Sequence, residues 1–454
     1  MIKRLFIANR GEIALRIVRS AHALGMETVL AVSQADRDSM AAREAGKVVV
    51  IGPPPSKASY LNAAALVHAA LANACDAVHP GYGFLSERAA FARLCEDNGL
   101  TFVGPRAETI EAVGDKLAAR RLAAAASIPM VAGTEKVSTT EEALAIAARI
   151  GYPVITKASA GGGGRGMRVA RSAAELEDSF DRSSQEAREA FGDGTLYLER
   201  FVERARHIEV QVMGDGQGEV LHFGERDCTL QRRYQKMMEE APAAGLSDAT
   251  RRRVHKAAVD LLRPLKYRNA GTVEFLYDPE RDEFYFMEVN ARIQVEHPVS
   301  EMVTGVDLVN LQLEVASKGR LPFAQDDIVV SGHAIEVRIL AEDPRRNFLP
   351  SPGRVTDWHF ATRPGSVRMD SAMHVGAMVP PYYDSMIGKL IVKEDNRATA
   401  LRMLADVLGH ARVDGVKSNR ELLKFLVEHH DVRRDDVDTR WAERVLMPQF
   451  LQTN

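Results

Sequence analysis

The chain has 454 residues, of which 46% are hydrophobic and 27% charged, so it is long enough for two or three domains with cores of their own. Its formal net charge of −3 argues against a dedicated nucleic-acid binder, and its three cysteines, without CxxC spacing, indicate neither a disulfide framework nor a structural zinc site. We find no segment apolar enough to span a bilayer and no signal peptide, which predicts a cytoplasmic protein without a membrane partner.

Residues 3–105 alternate short β-branched runs with helical segments. A first helix is predicted at about Gly11–Leu24, and strands are predicted at Arg4–Ala8, Thr28–Val32, Lys47–Ile51, Ala77–His79 and Thr101–Val103. This alternation is typical of an open, mostly parallel α/β sheet. The turn Asn9–Glu12 lacks the glycine spacing of a dinucleotide fingerprint, so a hydride-transfer cofactor is not indicated. The loop HPGYGFLSE, residues 79–87, is either a ligand loop beyond a strand or a Gly/Pro turn.

A glycine tract, Gly161–Gly166, follows an Ala-rich helix predicted at Lys116–Ala126 and a strand predicted at Tyr152–Lys157. The tract contains GxGxxG, but the next residues, Met167–Ala170, are expected to be extended rather than helical, and no Lys-Ser or Lys-Thr follows. Neither a dinucleotide loop nor a Walker A loop is therefore indicated. A hairpin tip remains, whose glycines let backbone amides approach phosphate oxygens. The alternative is a surface loop without a ligand.

Polar residues alternate along the second of two strands predicted within Gly271–Pro298. These residues would share one face, with Met287, Val289, Ala291, Ile293 and Val295 on the core face; the polar set is Glu288, Asn290, Arg292, Gln294 and Glu296. Together with Glu274 on the first strand, they offer the oxygen ligands that suit Mg²⁺ or Mn²⁺ better than zinc. Alternation alone would favour a solvated sheet face. Aromatic neighbours such as Phe275 and Phe286 indicate a central hairpin instead, where unpaired charges would be costly.

Further polar clusters lie between the glycine tract and this hairpin, at residues 196–202, 207–211 and 225–236. After about residue 330, strands such as His333–Ile339 mix with proline-rich turns, and helices follow from about Arg397. The predicted fold class is therefore α/β and α+β in a chain of three domains.

The middle of the chain resembles the ATP-grasp fold, and strings throughout the chain resemble biotin carboxylase. The resemblance covers about residues 3–445 and is carried by strings such as FIANRGEIALRI, HPGYGFLSE, KASAGGGGRGM, RHIEVQV, FMEVNARIQVEHPVSE, GHAIEVRILAEDP and PPYYDSMIGKL. It implies an N-terminal parallel-sheet domain (1–114), an ATP-grasp domain (115–330) with a lid at about 131–203, and a mixed α+β C-terminal domain (331–446). The chain departs from the family pattern at Tyr234, where many relatives have His, and at Ala160 and Ala291.

The resemblance also implies a role for individual residues. ATP would contact Lys116, Lys157, Gly163, Gly164, Glu199, Arg200, Phe201, Val202, His207, Gln231, Tyr234, Glu274 and Glu288. Two Mg²⁺ or Mn²⁺ ions would be held by Glu274, Glu288 and Asn290. Bicarbonate would bind Lys236, Arg292, Gln294 and Val295, and biotin would bind Arg338 and Tyr82 with support from Arg16 and Asp384. The catalytic residues would be Glu296 as general base, Arg292, Arg338 and Lys236.

The implied activity is carboxylation of biotin by ATP and bicarbonate through carboxyphosphate. No AMKM-like attachment segment is present, so biotin is expected on a separate biotin carboxyl carrier protein, with carboxyltransferase subunits as further partners and a homodimer as the assembly. Acetyl-CoA, serving fatty acid synthesis, is the expected final acceptor, with propionyl-CoA, pyruvate and 2-oxoglutarate left open. The alternatives are another ATP-grasp ligase and a nucleotide-binding subunit without chemistry of its own.

Overall fold

The structure, a computed structural model, describes residues 1–134, 136–158 and 167–453. Five parallel strands form the N-terminal sheet in the order β3-β2-β1-β4-β5, as the alternating pattern predicted. Its elements are β1 (Arg4–Ile7), α1 (Gly11–Ala23), β2 (Glu27–Ser33), α2 (Met40–Glu44), β3 (Lys47–Gly52), α3 (Ala63–Ala72), β4 (Ala77–His79), α4 (Ala89–Asp97), β5 (Thr101–Phe102) and α5 (Ala107–Gly114). Helix α1 buries Ile13, Ile17 and Ala21, which recur at helical spacing.

A small three-stranded sheet follows, in the order β7-β6-β8. Its segment comprises α6 (Lys116–Ala125), α7 (Thr140–Ile150), β6 (Val154–Ala158), β7 (Arg168–Ala170), α8 (Ala173–Phe191) and β8 (Leu196–Arg200). The antiparallel pairing of β6 with β7 confirms that two strands flank the glycine tract. The tract itself, with Gly163 and Gly164, lies outside the described residues.

A large antiparallel sheet carries the rest of the fold. The elements up to residue 318 are β9 (Arg206–Asp215), β10 (Val220–Arg232), β11 (Gln235–Ala241), α9 (Asp248–Leu262), β12 (Arg268–Asp278), β13 (Glu283–Asn290), α10 (His297–Thr304) and α11 (Leu308–Lys318). The elements after residue 330 are β14 (His333–Leu340), β15 (Glu342–Asp343), β16 (Leu349–Pro350), β17 (Gly353–Arg354), β18 (Asp357–His359), β19 (Val367–Asp370), β20 (Met378–Val379), β21 (Met386–Glu394), α12 (Arg397–His410), β22 (Arg412–Asp414), α13 (Arg420–Glu428), α14 (His430–Arg433) and α15 (Met447–Gln452). Within the described residues, no helix combines the length and the apolar character that crossing a bilayer requires.

The large sheet has eight strands in the order β13-β12-β9-β10-β11-β14-β21-β19, so it runs across the predicted domain boundary near residue 330. Strand β14 pairs with β11, with Val337 opposite Met238 and Glu336 opposite Glu239. This pairing places Arg338 of β14 in the same sheet as Lys236 of β11 and Glu274 of β12. All three cysteines, Cys75, Cys95 and Cys228, are buried, as predicted.

The prediction of one continuous strand through Glu288–Glu296 is wrong. Strand β13 ends at Asn290, and residues 291–296 are irregular before α10 begins at His297. The core-face assignment of Met287 is also wrong: a bulge at Glu274/Phe275 leaves Met287 without a cross-strand partner, and its side chain is 43% exposed. A period of two in the sequence cannot by itself reveal a bulge or the end of a ladder.

Glu240 connects two strands of the large sheet, β11 and β14, to helix α12. Its carboxylate accepts hydrogen bonds from Arg397 Nε at 2.7 Å and Nη2 at 3.1 Å, and it contacts His333 Nε2 at 2.7 Å. Burial raises the pKa of Glu240, but Arg397 and His333 outweigh it and lower the pKa to about 2. Because this value lies below the pKa of an unfolded Glu, the ionised group stabilises the fold above about pH 4.5, and the stabilisation is lost as pH falls towards 2.

We therefore expect Glu240→Gln to destabilise the protein by about 3 kcal/mol near neutral pH and by much less at pH 3. Thermal unfolding of both proteins at pH 7 and pH 3 measures the difference. Glu428→Gln, which loses only an exposed pair with Lys424, is the matched control and should change little at either pH. Equal destabilisation by Glu240→Gln at both pH values would contradict the linkage.

Candidate active site

The centre of the site is the Lys236 ammonium group, which is surrounded by three buried carboxylates. Lys236 Nζ lies 2.6 Å from Glu209 Oε2, 3.3 Å from Glu274 Oε1 and 2.6 Å from Glu296 Oε1. These side chains come from β11, β9, β12 and the segment before α10, so the sheet brings together residues far apart in sequence. Burial opposes the charge on Lys236, but the surrounding carboxylates keep its pKa well above the usual range.

Glu296 bridges Lys236 and Arg338. Arg338 Nη2 donates to Glu296 Oε2 at 3.0 Å, and Arg338 Nε donates to Glu239 Oε1 at 2.6 Å. Burial would raise the pKa of Glu296, yet the neighbouring cations lower it to about 2. Burial does raise the pKa of Glu239, to about 7, in spite of Arg338. The firmly ionised Glu296 therefore lies beside Glu239, a carboxyl group whose pKa is near neutral.

A fully buried guanidinium, Arg226, underlies this cluster. Arg226 donates from Nε to Glu209 Oε1 at 2.6 Å and from Nη2 to Gln294 Oε1 at 2.6 Å. Gln294 in turn donates to Glu274 Oε1 at 2.9 Å. Since a buried charge is stable only when it is paired and hydrogen-bonded, this network fixes the positions of the carboxylates before any ligand arrives.

The three predicted metal ligands lie together on β12 and β13. Glu274 and Glu288 are cross-strand partners, and Asn290 Nδ2 donates to Glu274 Oε1 at 2.8 Å. The Glu288 side chain reaches the surface, but partial desolvation and the nearby Glu274 carboxylate raise its pKa. Two neighbouring carboxylates and an amide oxygen, one of the carboxylates without a close cation, fit a hard divalent cation.

Arg292 is held from the N-terminal part of the chain. Its Nε donates to Glu87 Oε2 at 2.9 Å, and Glu87 Oε1 accepts from the backbone N–H of Ala291 at 3.1 Å. Arg292 Nη2 also donates to Asn290 Oδ1 at 3.0 Å. Glu87 ends the loop of residues 79–87, which therefore reaches the site as the ligand-loop interpretation expected.

Two of the predicted nucleotide residues, Lys157 and Glu199, form an ion pair, and a third, Lys116, acts on Glu288. Lys157 Nζ lies 2.6 Å from Glu199 Oε2, and Arg120 Nη1 lies 2.8 Å from Glu199 Oε1. Lys116 opens α6, and its charge lowers the pKa of Glu288. Lys116 therefore brings positive charge to the carboxylates of β12 and β13, whereas Lys157 and Arg120 are paired with Glu199.

The segment after β8 combines packing with polar contacts. Val202 is buried against Val131 and Tyr285, and Arg200 Nη2 donates to the Tyr285 hydroxyl at 2.6 Å. Phe201 lies under the Arg440 guanidinium, 4.6 Å from ring centroid to carbon. This segment therefore offers an apolar surface with backbone groups at its edge.

His207, Gln231 and Tyr234 occupy different environments. His207 Nε2 lies 3.1 Å from Glu274 Oε2, without hydrogen-bond geometry; burial lowers its pKa, but Glu274 outweighs this and raises it to about 9. Gln231 is buried opposite Lys236 in the β10–β11 register. Tyr234 is 63% exposed at a left-handed turn, with φ 65°.

The residues predicted around biotin are only partly brought together. Tyr82 donates its hydroxyl to Glu12, and the charges of Arg338 and Glu336 act on it. Arg16 instead braces α10 and α11, contacting Glu301 at 3.0 Å and Asp307 at 2.7 Å. Asp384 is exposed and accepts from the Met386 backbone N–H; among the described residues it makes no ion pair with this pocket.

Sequence reasoning gave no role to four residues that complete the site: Glu87, Glu209, Arg226 and Glu239. Glu209 and Arg226 were visible as members of polar clusters, and Glu87 as the end of a glycine loop. Glu239 carried no signal beyond an acidic residue in a strand. Their roles depend on strand pairing and loop packing, which spacing does not encode.

Three family models match the chain. They are described as biotin carboxylase N-terminal domain (residues 1–110), carbamoyl-phosphate synthase L chain ATP binding domain (115–324) and biotin carboxylase C-terminal domain (336–444). The biotin carboxylase of Haemophilus influenzae is 47% identical over 98% of this chain and 99% of its own length.

A mitochondrial methylcrotonoyl-CoA carboxylase subunit alpha from Glycine max is 46% identical over 100% of this chain. The chain spans only 62% of the length of that plant subunit. Among solved structures, the biotin carboxylase domain dimer of the Hydrogenobacter thermophilus 2-oxoglutarate carboxylase, in complex with MgADP, ADP and bicarbonate, matches with a TM-score of 0.91 and 41% identity. That match covers 100% of this chain and 99% of the other.

Proposed function

The chain belongs to the biotin carboxylase family, and from this premise we propose that it carboxylates biotin with ATP and bicarbonate. One observation carries the proposal: Glu296 bridges Lys236 and Arg338, Lys236 also contacts Glu274, and Glu288 is the cross-strand partner of Glu274. The site therefore combines a base, two cationic side chains that can bind anions, and a set of oxygen ligands that can bind a metal ion. The predicted division at 1–114, 115–330 and 331–446 remains part of the proposal.

Glu296 is proposed as the base that takes the proton of bicarbonate. Its pKa of about 2 suits it poorly to this role while it holds both cations. Bicarbonate bound by Lys236 and Arg292 would compete with Glu296 for the positive charge of Lys236. The pKa of Glu296 would therefore rise once bicarbonate is bound. The deprotonated oxygen would then attack the γ-phosphorus of ATP, forming carboxyphosphate and releasing ADP.

Glu274, Glu288 and Asn290 are proposed to hold Mg²⁺ or Mn²⁺, two ions in all. The bound ions would neutralise charge on the triphosphate. The chain's own part is to keep Glu274 ionised and in place through Lys236 and Gln294, while the charge of Lys116 favours ionisation of Glu288. ATP is proposed to rest against Lys116, Lys157, Glu199, Val202, His207 and Gln231, with Arg200, Phe201 and Tyr234 nearby and the glycine tract, outside the described residues, as a cover.

Arg338 is proposed to act in the second step. Carboxyphosphate would break down to carbon dioxide and phosphate, and the phosphate would take the N1 proton of biotin. The biotin enolate would be stabilised by the Arg338 guanidinium, and N1 would form the new bond to carbon dioxide. Tyr82 would line the biotin side of the pocket.

The proposed partners are a separate biotin carboxyl carrier protein and carboxyltransferase subunits, and the proposed assembly is a homodimer. Acetyl-CoA is the proposed final acceptor, supported by the match to bacterial biotin carboxylases over nearly their whole length. Reconstitution with different transferases distinguishes it from propionyl-CoA, pyruvate and 2-oxoglutarate. The predicted cytoplasmic location stays a prediction.

An ATPase assay of the isolated chain with bicarbonate, with and without free biotin, tests the proposal. We expect ADP release that requires Mg²⁺ and bicarbonate and is stimulated by biotin. ADP release that needs no bicarbonate and does not respond to biotin would favour another ATP-grasp ligase. A folded protein that releases no ADP would favour a nucleotide-binding subunit.

Glu288→Gln is expected to raise the Mg²⁺ concentration needed for half-maximal ADP release by about tenfold or more. Its thermal midpoint should stay close to the wild-type value, because Glu288 is exposed and its raised pKa shows that the charge is not stabilised. Glu280→Gln, an exposed change in the turn between β12 and β13, is the matched control. Equal losses of stability and turnover would assign Glu288 a structural role instead.

A further inference from the structure

Lys389 is fully buried on β21, and its ammonium group contacts a backbone carbonyl as well as a carboxylate. Its Nζ donates to the backbone carbonyl of Val295 at 2.9 Å and lies 3.2 Å from Glu12 Oε1. Asp370 is more distant, at 3.9 Å, and its two oxygens accept a bidentate pair of bonds from Arg368. The close partners of Lys389, at 2.9 and 3.2 Å, are therefore one carbonyl and one carboxylate, while the buried carboxyl groups of Glu336 and Asp370 act on its charge from farther away.

The Val295 carbonyl belongs to the irregular segment 291–296, which has no strand ladder to fix its peptide groups. Buried or half-buried peptide groups need a partner, so side chains must supply it here. Glu87 accepts from the Ala291 N–H, and the His297 ring lies 2.7 Å from the Gln294 carbonyl. Lys389 holds the next peptide, the one whose N–H belongs to Glu296.

Glu12 connects the same lysine to the other side of the pocket. It is buried on α1 and accepts the hydroxyl of Tyr82, while its Oε2 has no hydrogen-bond partner among the described residues. A continuous chain of contacts thus runs from Tyr82 through Glu12 and Lys389 to Val295. It joins α1, the loop of residues 79–87, β21 and the segment that carries Glu296.

We propose that Lys389 is a positioning residue that couples the biotin side of the site, through Glu12 and Tyr82, to the bicarbonate side, through the Val295 carbonyl. This inference rests on the proposed function, since it names what the two ends of the chain of contacts serve. Fixing the Val295–Glu296 peptide sets the direction of the Glu296 side chain, and fixing Tyr82 sets the opposite wall. A misplacement of about 1 Å at such a group costs up to about 10²-fold in rate.

A purely structural ion pair is the competing account. It predicts that removal of Lys389 together with Glu12 alters the stability of the fold, through Glu336 and Asp370 as well, but leaves the KM for bicarbonate of the folded protein unchanged. The positioning account predicts a specific kinetic loss in that same folded double variant. The hydrogen bond from Lys389 to the Val295 carbonyl distinguishes the two accounts, because a purely structural Lys–Glu pair does not need it.

The test compares Glu12→Gln with the double variant Glu12→Gln/Lys389→Met in the bicarbonate-dependent ATPase assay. Both lack the Glu12 charge, so their difference isolates Lys389. We expect Glu12→Gln to raise the KM for free biotin but to leave the KM for bicarbonate within about twofold. The double variant is expected to raise the KM for bicarbonate by a further tenfold or so. Lys393→Met, a change at a half-buried lysine of the same strand whose Nζ meets the Ser331 hydroxyl at 3.5 Å, should alter neither constant.

Thermal unfolding checks that each variant is folded. If the folded double variant shows the same KM for bicarbonate as Glu12→Gln, Lys389 is structural and the inference is overturned. A wild-type protein without biotin-stimulated turnover would instead remove the proposed function, whatever the variants do. The two failures are therefore distinguishable.

Discussion

Glu296→Gln is expected to lower bicarbonate-dependent ADP release by about 10²–10⁴-fold, both with and without biotin, while the fold is retained. The amide has the shape of the carboxylate but cannot take a proton. Both cations keep another partner: Lys236 retains Glu209 at 2.6 Å, and Arg338 retains Glu239 at 2.6 Å. The measurement is ADP release under saturating ATP, bicarbonate and Mg²⁺, beside a thermal melt.

The matched control for this change is Glu314→Gln, which removes a carboxylate of an i,i+4 pair on α11, remote from the Lys236 cluster. It should leave turnover unchanged. If folded Glu296→Gln keeps more than about a tenth of the wild-type rate, the base must be another group. Glu209, the remaining close carboxylate of Lys236, would then be the next residue to test.

The N-terminal sheet and helix α1 were predictable because their signals are local. Buried parallel strands are short β-branched runs, and helical spacing of Ile13, Ile17 and Ala21 marks one buried face. The five predicted strands match the observed ones to within two residues at each end. The antiparallel partners around the glycine tract were predictable for the same reason.

The hairpin that carries the proposed metal site was predicted in part. Glu274, Glu288 and Asn290 do lie together, because cross-strand neighbours follow once two strands are recognised. Alternation continued past Asn290 in sequence, however, while the strand did not. Residues 291–296 keep the alternation of polar and apolar residues, but their backbone is held by side chains from other elements. The sequence pattern alone could not distinguish such a segment from a strand.

Contacts between residues far apart in the chain could not be predicted from the sequence for a different reason. Glu87 lies 205 positions from Arg292, and Lys389 lies 94 positions from Val295, so each contact depends on the packing of whole units. No spacing rule links residues at such separations. Buried polar side chains without an evident local partner were the available signal, and they become meaningful only when the sheet order is known.

Arg338→Met is expected to separate the two halves of the proposed reaction. Biotin-stimulated ADP release should fall by about 10²-fold or more, because the guanidinium is the proposed partner of the biotin enolate. Turnover with bicarbonate alone should change by only a few-fold, because Glu296 still pairs with Lys236 at 2.6 Å. Glu296→Gln, in contrast, loses both rates.

The fold should tolerate Arg338→Met because Glu239, the other partner of Arg338, can take up a proton. Burial already raises the pKa of Glu239 to about 7 with Arg338 present, and loss of the cation raises it further, so the carboxyl becomes neutral instead of a buried unpaired charge. Arg354→Met, an exposed change whose guanidinium bonds only the Gly376 carbonyl among the described residues, is the control. Equal losses of both rates in folded Arg338→Met would place Arg338 in the bicarbonate step, since only a group needed before carboxyphosphate forms can slow turnover that involves no biotin.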